Sequence, residues 1–171
     1  MTAPRNTFYG LIVARRILRI IRADASHMDQ IMEVWKEFME YHQLIDAYYG
    51  TVEGGQVKFS EYLTGRMSRT DSLVLVAVEG ESLLGYCLCY VQPRPPVFTE
   101  QAIGILSDLA VREDSRGEGA GGAMVEEAMG WLRSQGITRV ELRTSAKNAS
   151  AIDFYRKHGF WIYDHMMTRE I

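Results

Sequence analysis

The stretch with the most chemical content is Leu109-Ala-Val-Arg-Glu-Asp-Ser-Arg-Gly-Glu-Gly-Ala-Gly-Gly122, where an apolar run enters a turn with four glycines among residues 117–122. Glycine lets main-chain N–H groups come close to a ligand, and a helix starting at the turn adds partial positive charge. Together these make an anion site suited to a pyrophosphate. Arg116 adds a guanidinium for a charge-assisted bond to phosphate. A P-loop would continue Gly-Lys-Ser/Thr, whereas this chain has Gly121-Gly122-Ala123. Gly117-x-Gly119-x-x-Gly122 satisfies the GxGxxG of dinucleotide-binding folds formally. In those folds, however, the strand runs straight into the first glycine, and here residues 112–116 intervene. A glycine-rich loop without a ligand is the remaining plain reading.

Other chemistry-bearing residues are sparse. Cys87 and Cys89 form C-x-C inside an apolar run, which puts both on one face of a strand, too close along the chain for an ordinary disulfide. They read as small buried hydrophobes in a reducing compartment. His27, His42, His158 and His165 show no metal-ligand spacing, and there is no CxxC or HExxH, so no metal is expected.

The elements that must position the turn follow from periodicity. Residues 17–21 alternate weakly as a first strand. Asp24 or Ser26 caps a helix running to about His42, with Met28, Ile31, Met32, Trp35, Phe38 and Met39 on one face. Trp35, Phe38 and Met39 fit core packing better than a pocket. Residues 43–55 read as a loop, whose flanking pairs Tyr41-His42 and Tyr48-Tyr49 either line a groove or cover the core. A second helix over 58–69 follows, then a hairpin of strands 73–78 and 84–91 about the turn 79–82. Pro93, Pro95 and Pro96 break the chain. Strand 103–111, helix 120–134 ended by Gly136, strand 138–144, helix 148–157 and an extended segment 160–170 complete the chain. Strands alternate with helices only in the second half, which predicts an α/β fold: a mixed sheet with helices on both faces.

At this point the residues resemble a known family. Arg116-Gly-Glu-Gly-Ala-Gly121 matches the [QR]-x-x-G-x-[GA] signature of the GNAT superfamily of N-acetyltransferases. Ile105–Val111 looks like the family's fourth strand and Val140–Thr144 like its fifth. Asn148-Ala-Ser-Ala-Ile-Asp-Phe-Tyr-Arg-Lys-His-Gly-Phe160 looks like its N-x-x-A-x-x-[FL]-Y-x-x-x-G-F block. Three motifs in the right order are far more specific than one. The likeness is strong over 103–160 and looser over 17–91.

The resemblance implies a mixed, mostly antiparallel sheet flanked by helices, with a V-shaped splay between the fourth and fifth strands. It implies acetyl-CoA as cosubstrate, its pantetheine arm lying in that splay against main-chain groups of Leu109, Ala110 and Val111. Main-chain N–H groups of Arg116, Gly117, Glu118, Gly119, Ala120 and Gly121 would hold the pyrophosphate. Asn148 would reach the cosubstrate, a role compatible with a plain helix N-cap. Tyr155 is the implied general acid, giving a proton to the departing CoA thiolate as the tetrahedral intermediate collapses; packing alone is the alternative. The amine must also lose a proton, and Asp108 and Glu100 are candidates to take it. Glu37, Glu40 and Asp46 lie where the family often shapes its acceptor pocket. For each of these five, a solvated carboxylate is the plainer reading. Only 11 residues follow Phe160, where many relatives build a hairpin. Here there is room for two very short strands or one bent at Asp164-His165, which bears on acceptor size and on homodimer formation.

The whole chain sets wider bounds. Its 171 residues fit one domain, read as 17–171 after an N-terminal extension 1–16. Composition is 47% hydrophobic and 24% charged, ordinary for a globular protein. A net charge of −3 gives no basic footprint for nucleic acid. No apolar run is long enough for a membrane span, and no address is evident, so the cytoplasm is expected. The expected activity is transfer of acetyl from acetyl-CoA to a primary amine, most simply of a small molecule. A non-catalytic acyl-CoA-binding module of the same fold is the alternative.

Overall fold

The computed structural model describes residues 17–171; the extension expected over 1–16 lies outside the described residues. The elements in order are β1 (Leu18–Arg22), α1 (Met28–Ile45), α2 (Gly55–Met67), β2 (Ser72–Glu79), β3 (Ser82–Pro93), β4 (Ala102–Val111), α3 (Ala120–Ser134), β5 (Val140–Glu141) and α4 (Ala149–Lys157). Spatial order in the sheet equals chain order. Each neighbouring pair is antiparallel except β4 and β5, which run parallel. The mixed, mostly antiparallel sheet expected from the sequence is therefore present.

Asp24 begins the first helical segment. Its carboxylate accepts from the Ser26 N–H at 2.9 Å and His27 returns to the Asp24 N–H, a reciprocal cap on the short 3₁₀ turn that runs on into α1. α1 buries Ile31, Met32, Val34 and Trp35, with Phe38 and Met39 packed beside them, so the aromatic stripe is core. Trp35 stacks on Phe59 of α2 with ring centroids 5.0 Å apart.

β2 is buried on both faces from Ser72 to Val78, because helices cover the sheet on each side. Val74, Val76 and Val78 face α1 and α2, whereas Leu73, Leu75 and Ala77 join the cluster built on α3. Cys87 and Cys89 are unbridged and share that second face, as their spacing predicts. Burial raises both thiols, Cys89 to about 12 despite the nearby Arg22, so neither is a nucleophile at neutral pH.

The close fit of the layers depends on glycines. A Cβ on Gly85 of β3 would collide with the Ala110 carbonyl oxygen and stand 3.1 Å from Met124 Cε. Gly85→Ala should therefore cost about 1–3 kcal/mol, read as a lower midpoint in urea unfolding with an unchanged slope. On Gly122 a Cβ would meet His158 Nε2 at 2.8 Å, so this glycine lets α4 lie against α3.

Three expectations are corrected. The strand read over 138–144 contracts to Val140–Glu141, since β4 turns away beyond Ile105 and leaves nothing to pair with. The extended segment over 160–170 forms no ladder, and no bend is found at Asp164-His165. It lies outside the sheet with Trp161, Ile162, Tyr163, Met166 and Met167 exposed; Tyr163 packs under the Arg139 guanidinium at 3.9 Å. Pro93 ends β3 rather than opening the loop, a position where a missing N–H is tolerated.

Candidate active site

The site begins with a register shift. Leu88 pairs with Asp108 and Cys89 with Leu106, so Ser107 is an extra residue, a β-bulge in β4. The bulge reverses the alternation. Leu106 belongs to the α3 face, but Ala110, four residues on, belongs to the α1 face with its partner Tyr86. Asp108 shares parity with Ala110, and Leu88 opposite it also lies on the α1 face. A half-buried carboxyl is thereby placed on the α1 face. Burial pushes its pKa up, opposed by the neighbouring hydroxyls of Ser107 and Tyr86 and by His42.

The same strand opens the sheet. β4 pairs with β5 only at Gly104–Val140 and Ile105–Glu141, and beyond that its outer edge has no strand beside it through Val111. This is the expected V-shaped splay. Leu109, Ala110 and Val111, which pair with Cys87, Tyr86 and Gly85 on the β3 side, line it with their free edge. At its mouth Gly117 (φ +85°) and Gly119 (φ +95°) hold left-handed conformations with open space where a Cβ would be. Gly119 caps α3 without a side-chain bond. Among the described residues, the N–H groups of 117–122 have no acceptor. Gly117, Glu118, Gly119, Ala120 and Gly121 thus form a main-chain cradle that fits a pyrophosphate. Arg116 lies beside it, its Nε donating to the Val111 carbonyl at 3.2 Å and its guanidinium 5.2 Å from the Tyr41 ring.

α4 closes the other side. Asn148 is 4% exposed and caps the helix, accepting from the Ala151 N–H at 3.1 Å and the Ser150 hydroxyl at 3.0 Å. Two turns on, Tyr155 packs edge-on to Phe154 and Phe160. Burial, then the proximity of Cys87 and Asp108, raises its phenol well above the ordinary value, so Tyr155 carries its proton at neutral pH. Asp108 on β4 and Tyr155 on α4 thus lie near enough to influence each other's charge.

The end of α1 crosses toward this opening. Tyr41 lies 3.4 Å from the Ser150 hydroxyl, and Asp46 pairs with Lys147 at 3.0 Å. His42 donates from Nδ1 to the Phe38 carbonyl at 2.8 Å and is surrounded by Phe38, Tyr41 and Tyr49. The aromatic pairs thus gather around the imidazole next to Asp108. The other carboxylates are engaged elsewhere. Glu37 and Glu33 bind Arg112, Glu40 sits 3.9 Å from Lys36, and Asp46 also accepts from the Tyr48 N–H. Glu100 pairs with Arg94 before the start of β4, whereas Asp108 is near its end, so the two are not brought together. Sequence reading missed Tyr86 and named His42 only within the aromatic pair flanking the loop. The available signal was a tyrosine among the inward positions 86, 88 and 90 of β3, where a buried hydroxyl needs a partner.

A sheet splayed between β4 and β5, with a glycine turn opening into α3 at its mouth, has the architecture of an acyl-group transferase. The chain belongs to the acetyltransferase (GNAT) family, whose family model matches residues 29–160. An uncharacterized N-acetyltransferase of Bacillus subtilis is 26% identical over 138 residues, covering 81% of this chain and 84% of the relative. An aminoglycoside N(6')-acetyltransferase type 1 of Klebsiella aerogenes is 28% identical over 112 residues, covering 65% and 73%. The fold is shared with a predicted acetyltransferase of Clostridium acetobutylicum solved with acetyl-CoA (TM-score 0.71, 17% identity, 90% and 96% covered). Among the described residues, no helix is long and apolar enough to cross a membrane, and no group of three or more His, Cys, Asp or Glu could hold a metal ion.

Proposed function

We propose that this protein transfers an acetyl group from acetyl-CoA to the primary amine of a small molecule, with Asp108 as proton acceptor and Tyr155 as general acid. The observation that supports this reading is a half-buried carboxyl and a neutral phenol, near enough to influence each other, beside the opening between β4 and β5. The cradle at residues 117–121 would hold the pyrophosphate, and the free edge of Leu109–Val111 the amide-bearing arm. Bound acetyl-CoA, as substrate, supplies the thioester whose carbonyl carbon accepts the amine.

Asp108 takes the proton that the amine nitrogen gives up as the C–N bond forms. Tyr155 gives its proton to the CoA sulfur as the C–S bond breaks. The products are the N-acetylated amine and CoA thiol, and the proton on Asp108 restores Tyr155 through solvent. The aromatic ring around His42 stands on the acceptor side, where it can face the apolar body of an amine. The likeness to an aminoglycoside acetyltransferase supports a small-molecule acceptor.

CoA thiol release from acetyl-CoA tests the reading, run against a panel of aminoglycosides, polyamines and amino-acid amides with a no-amine control. Amine-dependent release is expected; absence of CoA binding by calorimetry would overturn it. Gly119→Val forces a branched side chain into a left-handed conformation at the cradle. It should weaken CoA about tenfold or more, measured in the same calorimeter.

A further inference from the structure

Tyr86 is completely buried, and among the described residues its hydroxyl is the only buried side-chain polar atom without a hydrogen-bond partner. Buried phenols normally find a partner, and one left alone costs stability. The register shows where this one is aimed. Tyr86 pairs with Ala110 and Leu88 with Asp108, so Tyr86 and Asp108 are diagonal neighbours on one face of β3 and β4. Diagonal partners lie within reach of long aromatic side chains. The two groups are close enough to affect each other's ionisation, although the hydroxyl is not in hydrogen-bonding geometry.

We infer that Tyr86 is the positioning residue of this site: its hydroxyl donates to the Asp108 carboxylate, directly or across one water, and holds it charged and turned toward the splay. The inference rests on the proposal that Asp108 accepts the amine proton. Apolar burial alone would keep this carboxyl neutral and useless as a base. A hydrogen bond to the charged form opposes that. The groups facing Asp108 are His42 from α1, Tyr86 and Cys87 from β3, Ser107 on its own strand and Tyr155 from α4. Cys87 and Tyr155 are neutral at neutral pH, Ser107 is on the bulge and His42 is tied to Phe38. Tyr86 is therefore the fixed, dry donor among them.

The test is the titration of the Asp108 carboxyl carbon by NMR in the full chain, assigned by its loss in Asp108→Asn. Removing a donor to the charged form raises a carboxyl pKa, so Tyr86→Phe should move the midpoint up by about one pH unit. The acid limb of kcat/KM for amine-dependent thiol release should follow it. Phenylalanine keeps the ring contact of Tyr86 with Phe59, so the variant should stay folded. An unmoved or lowered midpoint overturns the role of Tyr86. An acid limb that ignores the Asp108 midpoint overturns Asp108 as base, even if Tyr86→Phe moves that midpoint. If Tyr86→Phe does not fold, uniform 3-fluorotyrosine labelling strengthens the donor and should lower the midpoint; no change would overturn the inference equally.

Discussion

Tyr155→Phe should lower kcat by about 10²–10⁴ while leaving CoA affinity close to that of the unaltered protein. The ring of Tyr155 packs against Phe154 and Phe160, and phenylalanine keeps those contacts. What is lost is one proton, held ready because burial and the nearby Asp108 keep the phenol neutral. Without it the sulfur departs as a bare thiolate in a site that disfavours charge. The measurement pairs steady-state thiol release with CoA calorimetry. A residue that only packs would instead show full kcat with a shifted melting temperature.

Asp108→Asn should have a double effect: kcat/KM falls by about two orders of magnitude or more, while the folded protein gains stability. The sign follows from burial. The carboxyl's pKa is raised in the fold, so the native state resists its charge. Stability from this group is complete below the ordinary carboxylate range of the unfolded chain. It is lost as pH rises through the folded value. Asparagine has nothing to ionise and escapes that loss. The melting temperature should therefore rise at neutral pH and show no gain near pH 3. A melting temperature that fell equally at both pH values would make Asp108 a structural hydrogen-bond acceptor and no base. Activity retained at neutral pH would move the base elsewhere, with His42 next in line.

The glycine turn was fully legible because its chemistry is local. A strand, a run of glycines and a helix start are contiguous, and the positive φ at Gly117 and Gly119 is what such spacing demands. The Asn148 cap and the Tyr155 helix were legible for the same reason. Asp108 could be named from the sequence, but not its burial. One extra residue at Ser107 reverses which face the rest of β4 presents, and no periodicity in residues 102–111 announces the change. Glu100 and Asp108 looked equivalent in the chain, and the length of β4 separates them. Residues 160–171 looked extended, yet a strand exists only where a neighbour offers its edge, and here none is in place.

The class of fold and the glycine turn into α3 could be read from residues close together in the chain. Which carboxylate is drawn inward, and that an unpartnered Tyr86 hydroxyl shares its face with His42 nearby, came from long-range packing. Those relations join β3, β4, α1 and α4 across separations of tens of residues. Strand register and helix packing set them, and neither is written in any one stretch of the chain.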